Sequence, residues 1–518
     1  MNDSRTKKVL KNAKVNVSFY LLSIILAFFS RKIFLECLGD EYVGLTGTLT
    51  NILGYLNLAE LGFASALIFN LYKPLYNEEH GTITDIISFY GYFNRKIGLF
   101  ILGAGAIFSL FIPVIFKTSE ISLPLVFFAF YVILITSTIA YFVNYRQILL
   151  FADQKSYVFN SITQTGQILK TIAQIAITIK TGSYYAWLII ELVFGILISI
   201  AINVKINLTY PWLNSRVRDG RAIKERYRGI MDTTRKVFVH KIKDFLLTQN
   251  DQFIVFLFLS LKMVAFYGNY VMVFSRILTL TNQMFAGTES SVGNLLAQND
   301  HKRTMSVFWE LSAVKYVVGG TLCFALYKLT SPFISVWLSD EYILDNGITF
   351  LLTLNLYIMI TRGVVDNFNS ALGHYQDTWA AWVELGLNMG ITLIGGYFWG
   401  LYGILLGKTA GLVTIVLFWK PYYLFKKGFR EPYSLYWRHT LGYMLSFIAT
   451  IFIAEGIIGL IGIDPAESFI WWIVAGAAYT SVFGIIYFMI VMLCCKGGNA
   501  LLQRIFNKKR NDVISSLQ

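Results

Sequence analysis

The chain has 518 residues, 56% of them hydrophobic and 16% aromatic, with a mean hydropathy of +0.57 and a formal net charge of +14. Apolar runs of about 20 residues recur from end to end, which excludes a soluble globular protein and points to an integral membrane chain. In that class a basic excess is sorted by membrane side, so it does not signal nucleic acid.

The N-terminus, M-N-D-S-R-T-K-K, is basic. The apolar segment after it is too long for a signal peptide and lacks a small-residue cleavage site, so it reads as an uncleaved first span. Fourteen candidate helices follow in order, near 15–37, 43–72, 88–116, 122–149, 157–179, 184–204, 237–259, 263–297, 307–330, 346–372, 378–398, 401–423, 438–460 and 468–495. With the N-terminus cytoplasmic, the cytoplasmic connections and their flanks carry 29 Lys and Arg, whereas the outer ones hold Lys117, Lys180, Lys262 and Lys328. That asymmetry predicts both termini in the cytoplasm.

The stretch 205–236, with nine Lys and Arg, divides the first twelve helices into six and six. The halves repeat at an offset near 221: Y-V-G-L-T-G at 42–47 sits over V-A-F-Y-G at 264–268, and L-Y-N-E-E-H at 75–80 over A-Q-N-D-H-K at 297–302. Six helices restore the starting orientation, so such a repeat implies a pseudo-two-fold along the membrane normal. The expected fold is all-α, with about 14 transmembrane helices: a lobe at 1–204, a basic cytoplasmic linker at 205–236, a lobe at 237–424, an extra helix pair at 436–495 and a cytoplasmic tail at 496–518. A substrate site is expected on the axis between the lobes.

Polar residues recur at helical spacing within these spans. Helix 5 carries Asn160, Gln164, Gln167, Thr171, Gln174 and Thr178 on one face; helix 2 has Thr46, Thr50, Asn57 and Glu60; helix 8 has Asn269, Arg276 and Gln283. Helix 10 adds Asn355, Arg362, Asp366 and Asn369, helix 7 His240, Asp244 and Asp251, and helix 11 Glu384, Asn388 and Thr392. Hydrogen bonding between helices accounts for any single such residue. Stripes on six helices together predict a hydrated lumen instead, because a dry interface satisfies so many donors and acceptors poorly.

Among the charges, Lys32 and Glu36, Arg362 and Asp366, and Lys241 and Asp244 are spaced for ion pairs within a helix. Arg31, Arg276 and Lys170 have no opposite charge within one turn, and guanidinium suits a bidentate phosphate contact. Glu60 and Asp251 likewise lack a nearby cation and, with Asp244 and Asp366, are candidates for proton or sodium coupling. His80, His240, His301, His374 and His439 show no ligand spacing, and Cys37, Cys323, Cys494 and Cys495 show neither metal nor disulfide spacing. With no Walker lysine motif either, no metal, cofactor or enzymatic chemistry is expected beyond a coupling ion.

R-K-x-F-L-x-x-L-G from Arg31, then E-Y-x-G-L, then N-L-A-E-L-G-F at 57–63, together with the six-plus-six layout, resembles the multidrug/oligosaccharidyl-lipid/polysaccharide (MOP) exporter superfamily. Within it the chain looks like the flippases of O-antigen, capsule and exopolysaccharide clusters. The related lipid II flippases have arginines that Arg31 and Arg276 resemble, and an A-E-G motif that Ala59, Glu60 and Gly62 resemble with a leucine inserted. Where they carry a further arginine in helix 2 this chain reads G-Y-L-N, which argues against lipid II as cargo.

The resemblance implies a flippase that moves an undecaprenyl-pyrophosphate-linked oligosaccharide across a bacterial cytoplasmic membrane by alternating access. Arg31, Arg276, Arg362 and Lys170 would meet the headgroup, and Asn57, Asn160, Gln164, Gln167, Gln174, Asn269, Gln283, Asn355 and Asn388 the glycan. Expected partners are lipid, a polysaccharide polymerase and glycosyltransferases. The alternatives are a lipid II-type flippase and a multidrug cation antiporter of the same superfamily.

Overall fold

The computed structural model describes residues 5–56, 63–117, 120–217, 251–285, 288–296, 298, 300–373 and 377–504. The described chain is helical throughout and divides into two compact units, Met1–Ala265 and Phe266–Gln518. Asn57, Glu60, Asp244, His240, Lys241 and most of the expected linker lie outside the described residues.

The first unit opens with α1 (Arg5–Leu38) and α2 (Asp40–Leu56). They are separated by Gly39 alone, whose φ of +99° is a turn that side-chain-bearing residues rarely adopt. Asp40 and Glu41 then occupy the first turn of α2, where the helix dipole favours negative charge. There follow α3 (Phe63–Tyr76), α4 (His80–Ser109), the single turn α5 (Ile112–Ile115), α6 (Leu123–Val143), α7 (Ile148–Ala152), α8 (Ser156–Thr181), α9 (Tyr184–Thr209) and α10 (Asp251–Phe258). The α8–α9 turn uses Gly182 in the left-handed region and a Ser183 cap that accepts from the Ala186 amide. Helix α8 packs between α1 and α9, α9 reaches on to α6, and α10 lies against α2. Leu67, Ile87, Phe89, Leu149 and Ile206 form the densest part of the core, where α3, α4, α7 and α9 meet.

The second unit continues through α11 (Leu261–Met284), α12 (Thr288–Leu296), α13 (His301–Trp337), α14 (Asn346–Ala371), α15 (Thr378–Trp399), α16 (Leu401–Phe429), α17 (Tyr433–Ile461) and α18 (Phe469–Cys494). Side-chain caps start α13, α14 and α18: Asp300, Asp345 and Ser468 accept from the amides of Arg303, Gly347 and Trp471. The α15–α16 hairpin closes on small residues, since a Cβ on Gly403 would lie 1.9 Å from the Gly395 carbonyl oxygen. Around Pro421, α16 widens into π turns over Leu412–Trp419 and Leu424–Phe429. Proline removes one backbone donor and crowds the turn before it, which accounts for the widening. Phe308, Tyr316, Phe368, Phe425, Tyr436, Phe483 and Tyr487 build an aromatic core over α13, α14, α16, α17 and α18.

Helices α6, α9, α11, α13, α14, α16, α17 and α18 are long and apolar enough to cross a membrane, eight among the described residues against about fourteen expected from sequence. Helix α8 is as long as α9, 26 residues, but its polar stripe dilutes its hydropathy. Large apolar side chains on the outside, such as Phe100, Ile107, Phe452 and Leu460, are exposed as a lipid-facing surface requires. Asp40 and Leu261 open α2 and α11, and His80 and His301 open α4 and α13, each pair 221 residues apart.

Candidate functional site

In the first unit the polar residues gather on α1, α2, α8, α9 and α10. Arg31 donates through Nη2 to the Ala265 carbonyl at 3.2 Å. Lys32 and Glu36 form the expected pair at 3.9 Å, on an exposed face. Helix α8 brings Lys170 to Glu191 of α9 at 2.7 Å, and Gln174 donates to the other carboxylate oxygen at 3.0 Å. Lys170, unpaired on its own helix, therefore has its counter-charge on the next one. Asn160 and Gln164 are half-buried and Gln167 is exposed.

Helices α2 and α10 meet where Gly47 leaves room for Gln252: a Cβ there would lie 2.7 Å from the Gln252 side-chain oxygen, which accepts from Asn51 at 3.1 Å. Asp251, half-buried, stands in the first turn of α10. Thr46 shares a hydrogen bond with Tyr184 at 2.8 Å.

In the second unit Asn269 is buried, Arg276 half-buried and Gln283 exposed along α11. Arg362 is 2% exposed, its guanidinium between the rings of Tyr316 at 5.6 Å and Tyr436 at 5.3 Å. It does not pair with Asp366, which is bound by Lys420 of α16 at 2.7 Å. Lys315, also buried, lies over the Phe285 ring at 5.1 Å and against Gly363. Asn355 of α14 accepts from Thr409 of α16 at 2.9 Å; within α15 Asn388 accepts from Thr392, which also donates to the Ile404 carbonyl of α16.

Sequence reasoning missed Glu191, Lys420, Lys315, Asn51 and Gln252. Glu191 had a signal, as the one carboxylate in the apolar run 184–204. Outside the spans, hydrogen bonds from the Tyr402 hydroxyl and the Gly347 amide hold the Asp345 carboxyl below its ordinary value. Asn77 does the same for Glu79, donating at 2.8 Å just before α4.

No family model and no curated protein matches the sequence. Solved structures do. The lipid II flippase MurJ in an inward closed conformation superposes with a TM-score of 0.66 at 16% identity, over 92% of this chain and 98% of that one. The fold is similar to that of this flippase over nearly the whole chain. An inward-facing multidrug-resistance MATE transporter of the MOP superfamily gives 0.54 at 13% identity, over 80% of this chain and 99% of that one. A point mutant of the Vibrio cholerae MATE transporter VcmN gives 0.50 at 12%, over 82% and 99%. Eight helices long and apolar enough to cross a membrane, among the described residues, support a multi-pass membrane protein. Among the described residues no cluster of His, Cys, Asp or Glu has the arrangement of a metal site.

Proposed function

We propose that this protein is a flippase for undecaprenyl-pyrophosphate-linked oligosaccharide units, moving them from the inner to the outer leaflet of a bacterial cytoplasmic membrane by alternating access, for surface polysaccharide synthesis. The observation that carries the reading is the extent of the fold match. The lipid II flippase leaves 8% of the chain uncovered, the two MATE transporters about a fifth, so the likeness to a lipid-linked glycan carrier takes in more of the chain. Arg31 and Arg276 supply cations for a pyrophosphate, and guanidinium forks bind such oxyanions bidentately. Asn160, Gln164 and Gln167 of the α8 stripe supply amides for sugar hydroxyls. Lys170 and Arg362 enter the headgroup contact only if Glu191 and the two tyrosines give way.

The absence of an arginine from G-Y-L-N at 54–57 favours an oligosaccharide unit other than lipid II. Outward movement of pyrophosphate charge is favoured by an inside-negative potential, by about 2.3 kcal/mol per charge per 100 mV. The costly step is then resetting, and a proton or sodium ion at Asp251, Asp244, Glu60 or Asp366 would ease it. The test is flipping of a fluorescent undecaprenyl-pyrophosphate oligosaccharide in vesicles carrying the purified protein. Arg31→Ala and Arg276→Ala are expected to abolish flipping while the protein still inserts, with Lys rescuing poorly. Full activity of both variants, or transport of organic cations in place of the glycolipid, overturns the reading.

A further inference from the structure

At one end of the second unit, three segments distant in sequence meet: the start of α13, the start of α17 and the helical stretch 496–504 that follows α18. His301 pairs with Glu431 at 2.9 Å, Arg504 with Glu310 at 2.9 Å, and Gly497 fits so closely on the Trp309 backbone that a Cβ would come within 1.9 Å of its carbonyl oxygen. Towards the other end of α13, nine residues before Trp337, Lys328 is bound to Glu455 at 2.6 Å. Residues 301 and 328 are thus about 40 Å apart along the helix axis, roughly a bilayer thickness. The three segments are among those whose Lys and Arg excess predicts the cytoplasmic side, and the fold brings them together.

Here three adjoining crevices of about 440, 390 and 270 Å³ run along the base of α13, the first two sharing Arg303, Val307 and Arg504. Both acids on their walls are already taken: Glu310 by Arg504 and by Ser306 at 3.0 Å, Glu431 by His301. Lys302, Arg303 and Lys496, all exposed, have no carboxylate partner among the described residues. The largest crevice sets Arg303 and Arg504 beside an apolar wall of Met284, Val292, Leu295, Val307 and Leu311, with Asn294 and Gln298 at its polar edge, and Lys302 and Lys496 line the smallest.

We propose that these adjoining crevices bind the phosphate headgroup of an anionic phospholipid of the cytoplasmic leaflet. Arg303 contacts the phosphate, Lys302 and Lys496 of the neighbouring crevice add positive charge beside it, and the first acyl carbons lie along the Met284–Leu295–Leu311 wall. Charge and shape agree on that ligand. Uncompensated cations at the membrane boundary attract a phosphodiester, and an apolar wall beside them suits a lipid and is wasted on a free ion. The site is independent of the cargo reading, since none of its residues is assigned to cargo or coupling.

The test is native mass spectrometry of the full-length protein in detergent, with phosphatidylglycerol or phosphatidylcholine added in equal amounts. Phosphatidylglycerol is expected to be retained preferentially, with retention falling about fivefold for each of Lys302→Gln, Arg303→Gln and Lys496→Gln. Lys117→Gln and Lys180→Gln, expected on the other side of the membrane, should leave it unchanged. Because the three residues are exposed, each single variant can be read without loss of the fold. Equal retention of the two lipids overturns the proposal. So does undiminished phosphatidylglycerol retention in the triple variant, or displacement of the lipid by inorganic phosphate at equal concentration.

Discussion

Arg362 and Lys170 are both cations withdrawn from water, and they are compensated in different ways. Lys170 has a carboxylate at 2.7 Å, and the Gln174 amide completes that carboxylate's hydrogen bonding. Glu191→Gln would strand the ammonium in a half-buried interface and is expected to lower stability by about 2 kcal/mol, below the cost for a fully buried pair because water still reaches it. A double change to Lys170→Gln and Glu191→Gln should recover most of that loss, measured as the melting temperature in detergent. Among the described residues Arg362 has no carboxylate partner; its Nε and Nη2 make no hydrogen bond there, and two tyrosine rings are its compensation. Each cation–π contact returns up to about 2 kcal/mol, whereas desolvating an ion costs several. Arg362→Met should therefore leave stability unchanged or raise it. A marked fall in melting temperature would show that the tyrosine stack outweighs desolvation.

At the scale of elements, helix ends and crossings carry the sharper expectations. The α15–α16 crossing depends on Gly403, so Gly403→Ala should cost about 1 to 3 kcal/mol by forcing the helices apart. Gly386→Ala, on the same α15 with nothing within 4 Å of its Cβ, should be neutral by the same melting assay. The start of α14 is set by Asp345, whose carboxyl is depressed by the Tyr402 hydroxyl and the Gly347 amide. A group with a lowered folded value adds stability that is full above its ordinary value of 3.8 and is lost as pH falls through the folded one. Hydrogen exchange at the Gly347 amide should accelerate as pH is lowered from 5 to about 3, relative to the intrinsic rate. Asp345→Asn should abolish that dependence.

For the molecule as a whole the expectations concern sidedness and energy. Cysteines placed at Ser119, Ser339 and Ser468 should react with an impermeant reagent from outside, and one at Ser215 should not; the reverse pattern would invert the direction of transport. If Asp251 couples a gradient, Asp251→Asn should slow flipping in vesicles and remove its dependence on a proton or sodium gradient, while glycolipid still binds. Full retention of that dependence would exclude this residue.

Much at this scale was legible without coordinates. Long apolar runs force helices because lipid offers backbone groups no hydrogen bonds, so an all-helical membrane chain follows from composition. The starts of α2 and α11 and of α4 and α13 lie 221 residues apart, and Gly39 and the polar break at 77–80 stand just before α2 and α4. Periodicity also placed Gln174, Asn355 and Asn388 on polar faces. What periodicity cannot contain is the neighbour opposite each face. The partner of Lys170 lies 21 residues away, that of Asp366 lies 54 away on a helix widened around a proline, and the rings enclosing Arg362 come from α13 and α17. The spacing of Arg362 and Asp366 predicted a pair within one helix, and Lys420 and two tyrosines displaced it, because a charge in a membrane protein settles against whatever group packing brings closest.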